Sequence, residues 1–152
     1  MSSTFALEAD LKSKPQKIWE SINDFSNLFP KIFPQVFDSV TVLEGDGNSP
    51  GSVRRINYAK GVPLTPITQK IESVDEEAKK MTYSVVDGDI LKLYKSFRAH
   101  FAVSGKDEGT LVIYSGEYEK INEQVQDPGE FTGIIIKSLY GLDAYLLQAE
   151  KS

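Results

Sequence analysis

The apolar period of this sequence changes late and completely. From Val40 to about Lys120 it runs in short segments rich in β-branched and aromatic residues, and after Asp127-Pro128-Gly129 it becomes helical. Turn chemistry parts the early segments at Gly45 to Gly51, Gly61-Val62-Pro63, Asp75-Glu76-Glu77, Asp87-Gly88-Asp89 and Lys106-Asp107-Glu108-Gly109. This places strands near 39–44, 52–60, 66–74, 79–86, 91–103 and 110–120. The last segment carries Phe131, Ile134, Ile135, Ser138, Leu139, Leu142, Tyr145 and Leu146 at i, i+3, i+4 and i+7 intervals, the stripe of one long helix from about Gly129 to Gln148. A lone helix of that length must bury its stripe against the strands.

The N-terminal part completes the pattern. Phe5, Leu7, Ala9 and Leu11 alternate with polar or small residues, the mark of a first strand with one buried face. Ser13-Lys14-Pro15 then offers a cap-like residue and a proline for the first turn of a short helix, which carries Ile18, Trp19 and Ile22 and ends near Asp24. Leu28, Phe29, Ile32, Phe33, Val36 and Phe37 follow, interrupted by Pro30 and Pro34, so a second short helix breaks before the next strand. The result is an α+β order of strand, two short helices, six strands and one long helix. It suits a curved antiparallel sheet wrapped around the last helix. With 152 residues, 40% of them hydrophobic, a single domain over 1–152 is expected. Periodicity alone leaves open whether sheet and helix meet as a solid core or enclose a cavity.

Several chemistries are set aside by what the residues lack. No apolar run reaches the ~18 residues of a membrane span and the N-terminus has no basic, then apolar, leader, so a cytoplasmic protein without membrane insertion is expected. With no cysteine there is no disulfide, thiolate metal site or cysteine nucleophile. A net charge of -5 and no basic cluster longer than Arg54-Arg55 or Lys79-Lys80 argue against nucleic acid. One histidine and no Glu/His pair at helical spacing give a metal little to bind. A Ser-His-Asp hydrolase around His100 would need a strained nucleophile turn of the Gly-x-Ser-x-Gly kind, and none is expected in the chain. The run Asp75-Glu76-Glu77 reads as a solvated turn.

Glu44-Gly45-Asp46-Gly47-Asn48-Ser49-Pro50-Gly51-Ser52 invites a phosphate-binding reading, but it lacks the lysine-serine ending of such loops and joins two strands. A rigid hairpin turn is the expectation, with Gly45, Gly47 and Gly51 at positions of positive φ or close backbone approach. This segment resembles the glycine-rich loop of the birch pollen allergen superfamily of plants. Lys31-Ile32-Phe33-Pro34-Gln35-Val36-Phe37, Val40 to Gly47, Pro50-Gly51-Ser52-Val53, Tyr83 to Asp89 and Tyr94-Lys95-Ser96-Phe97 resemble its major latex protein branch, in the same order along essentially the whole chain. The resemblance implies a START-like helix-grip fold: a seven-stranded sheet gripping the C-terminal helix around a large, partly apolar cavity, in a monomer or weak dimer. Relatives include plant-defence proteins, carriers of cytokinins, flavonoids, steroids and fatty acids, hormone receptors, and a few cofactor-free enzymes, so the fold does not decide the function.

With the resemblance fixing the sign of each strand's alternation, the inward side chains are expected to be Arg54, Ile56 and Tyr58; Ile67 and Gln69; Met81, Tyr83 and Val85; and Ser96, Arg98 and His100. Phe131, Ile134, Ile135 and Ser138 face them from the last helix. Such a wall, mostly apolar with a few polar handles, suits a small apolar molecule. An inward Arg54 needs a carboxylate, with Glu8, Asp10 and Glu117 as candidates, or a polar group of a ligand. His100, if inside, would suit proton transfer, with the Tyr83 hydroxyl beside it. In norcoclaurine synthases the resemblance implies a Tyr, Glu, Lys and Asp in the pocket, and those positions fall on Ile67, Gln69, Met81 and His100. None is retained, and a thioether stands in place of the Schiff-base lysine. Two functions follow, neither with a cofactor or metal. One is a binder or carrier of a hydrophobic plant metabolite or hormone. The other is an isomerase or cyclase of specialised metabolism, acting on an alkaloid or iridoid intermediate through His100 and Tyr83.

Overall fold

A computed structural model describes residues 2–150. The elements are β1 Ser2–Leu11, α1 Pro15–Asn23, α2 Phe25–Ile32, β2 Phe37–Glu44, β3 Val53–Tyr58, β4 Ile67–Asp75, β5 Lys80–Gly88, a 3-10 turn Asp89–Lys92, β6 Tyr94–Lys106, β7 Gly109–Lys120 and α3 Gly129–Glu150. The strands form one antiparallel sheet in the order β1-β7-β6-β5-β4-β3-β2. This is the expected α+β helix-grip arrangement, with α3 lying along the concave face. Among the described residues no helix is long and apolar enough to cross a membrane.

Sequence pattern explains most of the sheet. In β1 the inward positions Phe5 and Leu7 are half-buried and Ala9 and Leu11 buried, while Thr4, Ala6, Glu8 and Asp10 stay exposed. Along β7, Thr110, Val112, Tyr114, Gly116 and Tyr118 face the core. Gly116 permits a close approach: a Cβ there would stand 2.3 Å from the Arg98 carbonyl oxygen and 2.6 Å from the Phe5 ring. One boundary differs from expectation. Residues 91 and 92 belong to the 3-10 turn, and β6 starts at Tyr94 with a register shift between Tyr94 and Ser96.

The short helices use their punctuation partly in unexpected ways. Pro15 does occupy the first turn of α1, but Lys14 is the N-cap and no side chain caps it. Ser13 is instead buried, and its N–H donates to Asp143 of α3 at 2.8 Å. The same carboxylate accepts the Lys12 N–H at 3.0 Å, and the Thr110 hydroxyl donates to the Ser13 carbonyl at 2.6 Å. Asp143 therefore ties α3 to the β1–α1 connection. The second helix runs through Pro30, which cannot donate to the Ser26 carbonyl, and ends two residues later before Pro34.

The acidic β4–β5 turn is not merely solvated, contrary to expectation. Glu76 accepts the indole N–H of Trp19 at 2.7 Å and the side-chain amide of Asn23 at 3.2 Å, and so holds α1 on the sheet. Trp19 is 1% exposed, so its N–H has no other outlet. Glu76→Ala is expected to cost ~1 to 3 kcal/mol through that unpaired donor, read as a lower denaturant midpoint at unchanged slope.

Candidate functional site

Where the sheet curves over α1, α2 and α3, ten residues surround an inner cavity. Alternation on β3, β4 and β5 points Arg54, Gln69, Met81 and Tyr83 into it, β6 adds Phe101, the short helices add Ile22, Phe25 and Phe29, and α3 adds Ile135 and Leu139. These side chains leave ≈ 390 Å³ unfilled by atoms, but only ≈ 20 Å³ of that space can take the centre of a water molecule. That is room for about one water. The large cavity expected from the resemblance is drawn in, with aromatic rings and α3 closed down on it.

The polar part of this wall is built around Arg54, which is 3% exposed. Its Nε donates to Gln69 Oε1 at 3.1 Å, and its Nη1 donates to the Ser26 hydroxyl at 3.2 Å and to the Gly47 carbonyl at 3.0 Å. The guanidinium also lies 5.0 Å from the centre of the Phe25 ring. None of Glu8, Asp10 and Glu117 pairs with it: all three lie on outer faces, Asp10 holding Lys106 and Glu117 holding His100. Burial without a counter-ion brings the Arg54 pKa down to about 10, still a cation at neutral pH.

Beside it, the Tyr83 and Tyr114 hydroxyls share a hydrogen bond of 2.9 Å. Burial pushes the Tyr83 pKa up to about 12, and Tyr58 and Tyr114 also shift upward by desolvation. All three phenols stay protonated at neutral pH.

A second, open groove of ≈ 560 Å³ lies at the start of α3. Leu64, Ile90, Leu93, Tyr94, Val125 and Phe131 give it apolar lips, and Asn122, Gln124, Gln126, Asp127 and Glu130 a polar rim. The segment over it is fastened by the Tyr94 hydroxyl on the Gln126 carbonyl and by Tyr118 and Lys120 on Asp127 at 2.6 and 2.9 Å. Those two partners hold the Asp127 carboxyl below its ordinary pKa. Along β6, Tyr94 lines the groove and Phe101 the cavity; along α3, Phe131 lines the groove and Ile135 the cavity. Phe97 and Phe131, whose rings meet edge to face at 5.2 Å, form the layer between the two spaces.

The expected site residues divide accordingly. Arg54, Gln69, Met81, Tyr83 and Ile135 converge on the cavity, while Phe131 lines the groove. Ile56, Ile67 and Val85 are buried and Tyr58 half-buried against the core, outside the cavity wall. Ile134 sits half-buried on the flank of α3, and the Ser138 hydroxyl is spent on the Ile134 carbonyl at 2.8 Å.

The inward placement of Ser96, Arg98 and His100 is corrected. Past the register shift after Tyr94, the buried positions on β6 are Phe97, Ala99, Phe101 and Val103, so these three lie on the outer face. There Arg98 pairs with Glu72 at 3.2 Å, and His100 lies between Thr82 at 2.8 Å and Glu117 at 2.7 Å. The strand's own apolar alternation, Phe97 to Val103, carries the right sign; alignment by resemblance did not. His100→Ala is expected to cost ~1 kcal/mol or less in thermal melts, as a partly exposed pair should, and to leave ligand uptake unchanged. Ile22, Phe25, Phe29, Phe101 and Leu139 were missed as lining residues. Only Phe101 and Leu139 had a usable signal, in strand alternation and the helical stripe.

The glycine-rich loop is a hairpin with Gly45, Gly47 and Gly51 at φ 75, 92 and 88°. It already holds an anion of its own. Asp46 accepts the N–H groups of Asn48 and Ser49 and the Ser49 hydroxyl at 2.6 to 2.8 Å, which pulls its pKa far down. A phosphate would compete with that carboxylate. The expected absence of a Gly-x-Ser-x-Gly sequence is corrected, since Gly47-Asn48-Ser49-Pro50-Gly51 spells it, but Ser49 lies between two strands and gives its hydroxyl to Asp46. Among the described residues no three His, Cys, Asp or Glu side chains converge as metal ligands.

The family model of the pathogenesis-related protein Bet v 1 family matches residues 1–149. The chain is 41% identical over 149 residues to MLP-like protein 423 of Arabidopsis thaliana, covering 97% of this chain and 96% of that one. A crystal structure of ginseng major latex-like protein 151 from Panax ginseng superposes with a TM-score of 0.87 at 27% identity, over 95% of this chain and 97% of that one. Norcoclaurine synthase from Thalictrum flavum superposes with a TM-score of 0.80 at 18% identity, over 97% and 87%. At that identity the likeness is one of fold alone.

Proposed function

From a chain that belongs to the pathogenesis-related protein Bet v 1 family, we infer a binder or carrier of a small hydrophobic plant metabolite or hormone, held between the sheet and α3. The observation that carries this reading is the inner wall: a mostly apolar surface with one convergent polar cluster, Arg54, Gln69 and Tyr83. Pockets for small molecules run to ~300 Å³ or more, so uptake requires this wall to open. Met81, flexible and polarizable, and the Phe97–Phe131 layer below the open groove are the parts suited to give way.

An isomerase or cyclase on this frame would draw little from proton transfer. Among the described residues Arg54 and Tyr83 are the only titratable side chains on the cavity wall, and neither titrates near neutral pH. Such an enzyme would act by positioning a reactive substrate away from water.

Titration with hydrophobic fluorophores, phytohormones and plant phenolics is expected to show saturable binding at micromolar or lower concentration. Ile135→Phe, which adds volume to the cavity wall, should weaken that binding at least tenfold while costing ~1 to 3 kcal/mol of stability. Unchanged affinity in a folded Ile135→Phe protein would place binding elsewhere and overturn this reading.

A further inference from the structure

We propose that the ligand is an acid, and that Arg54 is the seat of its carboxylate. This rests on the reading that the inner cavity binds a small apolar molecule, and adds the chemical group by which it is recognised.

A guanidinium has five N–H donors and no acceptor. Among the described residues Nε and Nη1 are engaged, all by neutral acceptors, and Nη2 donates no hydrogen bond. The neighbouring groups do not make up the deficit. Arg54 Nε can only donate, so Gln69 turns its carbonyl oxygen toward it, and among the described residues the Gln69 amide nitrogen donates no hydrogen bond. The Tyr83–Tyr114 pair has two hydroxyl protons and one bond between them, which leaves one proton over. The polar corner of the cavity thus holds one uncompensated positive charge and a surplus of donors.

A cation buried without a counter-ion is costly in a protein interior, and the ring of Phe25 offsets only part of that cost. The complement to this corner is an acceptor with negative charge. A carboxylate fits better than a phosphate. It brings one charge to meet one charge, and two donors, Arg54 Nη2 and the Gln69 amide nitrogen, remain to serve its two oxygens. A phosphate would bring nearly two charges into a wall with no second cation. The remaining lining residues, Phe29, Met81, Phe101, Ile135 and Leu139 among them, ask for an apolar body behind that head.

The test uses matched skeletons and an isosteric variant. Dodecanoate and 3-phenylpropanoate are titrated calorimetrically against the full chain at neutral pH, beside dodecan-1-ol and 3-phenylpropan-1-ol. The same titrations are made on Gln69→Glu, which sets a built-in carboxylate against Arg54 Nε with little change of shape, and on Arg54→Met. The acids are expected to bind at least tenfold more tightly than their alcohols. Gln69→Glu should erase that preference, lowering acid affinity tenfold or more and leaving the alcohols within about twofold. Melting of Gln69→Glu at or above the parent temperature would show a missing counter-ion supplied. Equal affinity for acids and alcohols in the parent chain, or a preference untouched by Gln69→Glu, would overturn the proposal while leaving the cavity as the binding site. If neither class binds the parent chain, the binding reading itself falls and this inference with it.

Discussion

Replacing Asp143 by alanine is expected to lower the stability of the protein by about 3 kcal/mol, the largest loss from any single polar side chain. Asp143 is 7% exposed, and its two oxygens take the Lys12 and Ser13 N–H groups at 2.8 to 3.2 Å. Alanine would strand two backbone donors at the buried β1–α1 connection, where no water replaces the carboxylate without a cavity to hold it. For a chain of this length, 3 kcal/mol corresponds to a fall in Tm of roughly 6 to 12 °C. Asp143→Asn keeps one acceptor oxygen and should lose about half as much. Because Asp143 fastens α3 to the opposite end of the sheet from the groove, the alanine variant should also show faster amide exchange in the third and fourth turns of α3. A melting temperature within ~2 °C of the parent would mean that the connection is held by packing alone.

Phe131→Ala carries the second large effect, and it acts on both stability and uptake. Phe131 is 3% exposed and packs on Phe97, so truncation should cost about 3 to 5 kcal/mol, the usual loss for a buried aromatic ring. It should also join the open groove to the inner cavity, since this ring and Phe97 form the layer between them. The expected kinetic result is a several-fold rise in the association rate for an apolar fluorophore, beside the lower Tm. Ile134→Ala should do neither to the same degree, because Ile134 sits on the helix flank and lines neither space. A stability loss in Phe131→Ala with unchanged binding kinetics would close the groove as an entrance.

The fold was legible because its signals are local. Strict alternation in β1, glycine and Asx chemistry at the turns and the single change of apolar period before Gly129 each report on neighbouring residues, and each held in the structure. The site depends on which elements meet, and here local pattern was weaker. Ile22, Phe25 and Phe29 lie on helices whose stripes look the same whether they face solid core or cavity. On β6 the alternation of Phe97, Ala99, Phe101 and Val103 was the better guide, and the sign taken from the resemblance placed inward a His100 that the strand turns outward. Glu76 read as part of a solvated turn, and Asp143 carried no signal at all, because nothing in the chain near them announces the N–H groups they meet 57 and 130 residues away. Arg54 was rightly read as inward, but its partners proved to be neutral, one of them a carbonyl of the glycine-rich loop. That loop's contribution to the site is thus structural support for a buried cation.

The central claim is that the space between the sheet and α3 receives a ligand, and Met81 reports on it directly. The chain has two methionines, so protein labelled with ¹³C at the methionine methyl groups gives two signals, and Met81→Leu assigns the one from the cavity wall. Titration with dodecanoate is expected to move the Met81 signal along a saturable curve whose midpoint matches the calorimetric dissociation constant. A Met81 signal that stays in place while calorimetry shows the ligand bound would contradict the account, because the ligand would then be held outside the grip.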